Sequence, residues 1–70
     1  MNAISQFWKM AKTHRHRAHL HYWPGLAGRS FEAVYHTDGA TFGSGRTQSA
    51  ACHEAVKQLE KHMKGKNANP

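Results

Sequence analysis

Cysteine is almost missing from this sequence; Cys52 is the only one in seventy residues. A single thiol excludes an intrachain disulfide, and with it the class of small secreted folds stapled by several. A lone free thiol is kept reduced most readily in a cytosol. Acidic residues are scarce too: four Asp and Glu stand against ten Lys and Arg, leaving a formal charge of +6. Polyanions are the partners that such a balance attracts. Long apolar runs are absent, none approaching the roughly twenty residues that span a bilayer. The N-terminus also lacks the charged-then-apolar pattern of a signal peptide, so a soluble cytoplasmic protein with no membrane partner is expected. The length allows one compact domain and no second one.

What is present falls into five periodic segments. Ile4, Phe7, Trp8 and Ala11 recur at i, i+3, i+4 and i+7, predicting a helix over 2–13 with Asn2 as N-cap and Lys9 and Lys12 on its wet side. From Ala18 to Trp23 the period changes to two, with Ala18, Leu20 and Tyr22 alternating against His19, His21 and Trp23, as in a half-buried strand. Pro24-Gly25 opens the loop "PGLAGRS". "SFEAVYH" alternates again, and Asp38-Gly39 supplies a tight hairpin turn into a short third strand, about Ala40 to Gly43. Gly43 and Gly45 then let the chain bend sharply off the sheet. The last helix is expected over 48–64, capped by Thr47 or Ser49, with the stripe Ala51, Cys52, Ala55, Val56, Leu59 and Met63 turned inward. Glu54 and Glu60 each precede Gln58 and Lys64 by four residues. The domain spans 1–64, followed by a polar, flexible tail over 65–70. The expected fold is α+β, α-β-β-β-α, with two helices on one face of a three-stranded antiparallel sheet and a core of Ile4, Phe7, Leu20, Phe31, Ala33, Val56 and Leu59.

Three stretches resemble the double-stranded RNA-binding domain: "AISQFWKMA" is similar to its first helix, "SFEAVYHTDG" to its second strand and turn, and "FGSGRTQSAACHEAVKQL" to its G-x-G turn and alanine-rich last helix. The similarity runs over roughly residues 3 to 63. It implies the fold above and a helix N-terminus at Thr47 offered to a phosphate. The sequence departs from that family at its contact points. Gln48, Ser49 and Cys52 occupy the places of the family's lysine clamp, Lys9 stands where a glutamate contacts ribose, and "PGLAGRS" lacks the histidine of the family's Gly-Pro-x-His loop.

The densest cationic run, "KTHRHRAHLH", offers a phosphate-tracking stripe or a merely solvated junction. Trp8 and Trp23 flank it, and aromatic rings beside cations suit stacking on unpaired bases. The residues expected to contact nucleic acid are Trp8, Lys9, Lys12, Arg15, Arg17, Arg29, Arg46, Thr47 and Gln48. His14-x-His16 and His19-x-His21 invite a metal reading, since alternate residues of a strand share a face, but no Cys or His pair has finger spacing, so neither a metal site nor another cofactor is expected. Cys52 and His53 are helical neighbours about 100° apart and cannot form a nucleophile and base pair, so no catalytic residue is expected; Cys52 reads as a small core hydrophobe. Two functions follow. One is a non-enzymatic module binding nucleic acid, RNA rather than DNA, in structured or double-stranded form. The other is a protein-interaction domain of the same fold that docks onto or inhibits a nucleic-acid-handling complex, as products of phages and mobile elements do.

Overall fold

Asn2 starts the first helix as expected, its side-chain oxygen accepting a hydrogen bond from the Ser5 N–H at 2.8 Å. That contact satisfies one of the donors a helix N-terminus leaves free, a contribution of about 1 kcal/mol. In the computed structural model, which describes residues 2–24, 30–37 and 39–67 (65–67 by backbone only), five elements follow in order. They are α1 (Ala3–His14), β1 (Arg17–Tyr22), β2 (Phe31–His36), β3 (Ala40–Gly45) and α2 (Gln48–Asn67). The arrangement is the expected α-β-β-β-α. Among the described residues, no helix is long and apolar enough to cross a membrane.

α1 ends without a glycine. Arg15 takes the left-handed conformation, φ 56° and ψ 39°, and its N–H bonds the Lys12 carbonyl at 3.3 Å while the His16 N–H reaches the Ala11 carbonyl at 2.9 Å. These two bonds form a Schellman cap, a site where glycine is the usual occupant. The turn drops the chain directly into β1.

The sheet is antiparallel with order β1-β2-β3. Arg17 pairs with His36 and Tyr22 with Phe31 across the first hairpin; Phe31 pairs with Gly45 and His36 with Ala40 across the second. The β2–β3 connection therefore has three residues, with the Thr37 side chain donating to the Gly39 carbonyl at 2.9 Å; Asp38, expected to set this turn, lies outside the described residues. Period-two alternation places Ala18, Leu20, Phe31, Ala33, Tyr35, Thr41 and Gly43 on one face. Both helices lie on that face: the Phe7 ring of α1 sits 4.5 Å from the Tyr35 ring, and the backbone of α2 lies against Gly43.

Phe7, Ala11, Ala33, Tyr35, Ala51, Cys52, Ala55, Val56 and Leu59 form the core, with Ile4, Leu20, Phe31 and Met63 partly buried at its margin. Each apolar position expected on α2 thus faces inward. Tyr35 brings a hydroxyl into this core and donates it to the Phe7 carbonyl at 2.7 Å, tying β2 to α1. Burial, with Cys52 and Glu60 nearby, holds that hydroxyl well above the usual phenol range.

Two expectations about β3 need correction. The strand continues through Ser44 to Gly45 rather than ending at Gly43, and neither Gly43 nor Gly45 has a left-handed φ. Their role is clearance. A Cβ on Gly43 would lie 2.6 Å from the Ala51 carbonyl oxygen and 2.7 Å from the Glu54 carbonyl carbon; one on Gly45 would lie 2.7 Å from the Ala50 Cβ. The glycines are what let α2 rest directly on the strand. At the other end α2 runs to Asn67, three residues beyond its expected stop.

Candidate nucleic-acid interface

On α1 the spacing i, i+1, i+4 gathers Trp8, Lys9 and Lys12 on the side turned away from the core, and all three are exposed. Trp8 is held in place from below: its ring meets the buried Phe7 ring edge-on, centroids 4.9 Å apart at 74°, while 44% of the residue stays open to solvent. A ring so placed offers a rigid apolar surface beside two ammonium groups.

At the start of α2, Thr47 caps the helix. Its hydroxyl accepts from the Ala50 N–H at 3.1 Å and its carbonyl from the Ala51 N–H at 3.0 Å. The first N–H groups of a helix have no partner within it and carry the positive end of the dipole. Arg46, Thr47, Gln48 and Ser49 are all exposed around that end. Cys52, one turn on, is fully buried, and burial raises its thiol pKa. The Cys52 side chain therefore points into the core and offers nothing to a ligand at the helix start.

Arg17 opens β1 on the opposite face of the sheet, the face without helices. It shares that face with His19, His21, Glu32, Val34, His36, Ala40, Phe42 and Ser44. The His36 Nε2 lies 3.0 Å from the His19 Nδ1, the His19 and His21 rings are 4.2 Å apart, and Trp23 continues the row with its ring 5.6 Å from that of His21. Partial burial and the nearby His21 and His36 lower the pKa of His19 against the opposing pull of Glu32. Among the described residues, no group of three or more His, Cys, Asp or Glu is arranged to hold a metal ion.

The expected contact residues thus divide into three places. Trp8, Lys9 and Lys12 lie on α1, with Arg15 capping its end; Arg46, Thr47 and Gln48 lie at the start of α2; Arg17 lies on the open face. Register puts Arg17 and Arg46 at opposite ends of the sheet, about 17 Å apart along six-residue strands. Arg29 falls outside the described residues. Among the described residues, no ion pair joins Lys9, Lys12, Arg15, Arg17 or Arg46 to a carboxylate. A groove of about 520 Å³ between the outer edge of β3 and α2, bordered by Phe42, Glu54, Gln58 and Lys61, contains none of the expected residues. Sequence reasoning missed His36 and Phe42 as members of a surface with His19 and His21. The alternation of β2 and β3 gave their faces only once the strand register was known. No known family, curated protein or solved structure matches the chain.

Proposed function

We propose that this chain is a non-enzymatic nucleic-acid-binding module, a diverged member of the double-stranded RNA-binding kind, which holds structured or double-stranded RNA through phosphate contacts in the cytoplasm. The observation that carries this reading is the set of five exposed cations, Lys9, Lys12, Arg15, Arg17 and Arg46, none neutralised by a described carboxylate, on a chain of charge +6. Each phosphate they meet releases condensed counterions, which is the main source of affinity for such ligands. The α-β-β-β-α order and the two helices on one sheet face accord with the resemblance read from the sequence. Trp8 beside Lys9 and Lys12 adds a ring suited to a groove edge or an exposed base.

Fluorescence polarisation with labelled duplex RNA, duplex DNA and single strands tests this. Binding to duplex RNA at low salt, weakened at least tenfold in both Lys9→Ala/Lys12→Ala and Arg15→Ala/Arg17→Ala, is expected; silence with every ligand at low ionic strength removes the proposal. One observation favours a second reading. The start of α2 carries no lysine, and the clamp's third place is the buried Cys52, which suits a domain that kept the fold and docks onto a nucleic-acid-handling protein complex instead.

A further inference from the structure

We infer that the helix-free face of the sheet is a platform for a short unpaired stretch of nucleic acid, bases lying on Trp23 and Phe42 and the backbone following Arg17 and the histidines. The inference rests on the nucleic-acid reading above and assigns a second surface to it.

Four observations converge. First, large rings are left uncovered: Trp23 is 48% and Phe42 54% exposed, and both helices pack on the other side of the sheet. Second, the rings are supported. Trp23 leans on His21, while Phe42 stands directly opposite Val34, which is itself buried between Phe42 and His19 although it lies on the open face. Third, Arg17, His19, His21 and Trp23 follow one another at every second residue along and just past an edge strand, their Cα atoms about 7 Å apart, with the His19 and His21 rings 4.2 Å apart and the His21 and Trp23 rings 5.6 Å apart. That row offers a continuous aromatic surface with an exposed indole at one end for a base and a guanidinium at the other for phosphate. Fourth, Glu32 is the only carboxylate on the face among the described residues, and it is set against Arg17 and the imidazoles of His19, His21 and His36.

The alternatives fit less well. Three six-residue strands span only about 10 by 17 Å between their outermost Cα atoms, a small footprint for a stable protein interface. A base needs neither a large area nor a deep pocket, only an exposed ring and a cation within reach.

The test uses two ligands, a labelled octamer of uridylate and an RNA hairpin duplex, with the full chain and three variants: Trp23→Leu, Phe42→Ala and Lys9→Ala/Lys12→Ala. Trp23 and Phe42 are exposed, and far-UV circular dichroism checks that each variant is folded. The expected result is a loss of about tenfold in octamer affinity for Trp23→Leu and for Phe42→Ala, with duplex affinity within twofold of wild type. Lys9→Ala/Lys12→Ala should show its larger loss on the duplex. Octamer affinity unchanged in both ring variants overturns the platform while leaving duplex binding, and hence the proposed function, in place. Failure of both ligands overturns both readings. A dimer by light scattering that Phe42→Ala dissociates gives the face to a second copy and overturns the platform as well.

Discussion

His19 on β1 and His36 on β2 meet through their ring nitrogens, Nδ1 to Nε2, at 3.0 Å. One ring must donate and the other accept, so the bond exists only while at least one imidazole is neutral. Two doubly protonated rings have no acceptor between them. The open face is therefore joined across its first two strands by a contact that acid removes.

The direction of the pH effect follows. Partial burial, His21 and His36 make the folded chain bind the His19 proton less tightly than the unfolded chain does, with Glu32 opposing. Arg17 shares the face from β1, and β3 places Ala40, Phe42 and Ser44 there, none of them titratable. Because the unfolded state binds more protons, stability is full above the unfolded value of about 6.5 and falls as pH drops from there through the lower folded value. Thermal melts should show a lower midpoint at pH 5.5 than at pH 7.5, with a smaller difference in His19→Asn. Polyanion affinity should move the other way, tighter at pH 6 than at pH 8, as imidazoles gain charge. Equal affinity at both values removes the histidines from binding.

Gly43 is the position where a single methyl group does the most damage. A Cβ there meets the backbone of α2 at Ala51, Glu54 and Ala55, and backbone cannot swing aside as a side chain can. Gly43→Ala should cost about 3 kcal/mol by urea unfolding. Gly45→Ala meets chiefly the Ala50 methyl and should cost nearer 1 kcal/mol. Equal and small losses at both would mean that α2 does not rest on β3 as described.

Arg15 separates stability from binding. Its left-handed φ of 56° is one that glycine adopts without penalty, so Arg15→Gly should raise stability by about 0.5–1 kcal/mol. The same change deletes an exposed cation and should weaken duplex RNA binding several-fold. A variant more stable and equally tight-binding would show that Arg15 contributes nothing to the ligand.

The helices were the most legible part of the sequence. Their 3.6-residue periodicity marked every buried position of α2, Asn2 is the cap its residue type promised, and of the two candidates Thr47 and Ser49 it is Thr47 that caps α2. β1 and β2 could be read as alternating strands, but not their register. The 23–30 connection offers no two-residue turn to fix it, and only register brings His36 beside His19. The Schellman cap at Arg15 was hidden because the signal for it is a glycine, which the chain lacks there. Gly43 and Gly45 were legible as special but not for the right reason: a sequence shows that a side chain is missing, while the helix residues that need the space come from five to twelve residues further along. The candidate site was legible as a collection of cations and two tryptophans. Their division between helix side and open face depends on where Arg17 falls in the alternation of β1.

The most direct measurement is the salt dependence of duplex RNA affinity between 50 and about 300 mM monovalent salt. Each phosphate neutralised contributes a slope of about −0.9 in log K against log salt. If three to five of Lys9, Lys12, Arg15, Arg17 and Arg46 engage phosphates, the slope should be about −3 to −4.5, and Lys9→Ala/Lys12→Ala should reduce its size by about 1 to 2. A slope near zero, or one that the variant leaves unchanged, would contradict the claim that these side chains hold a nucleic acid by its phosphates.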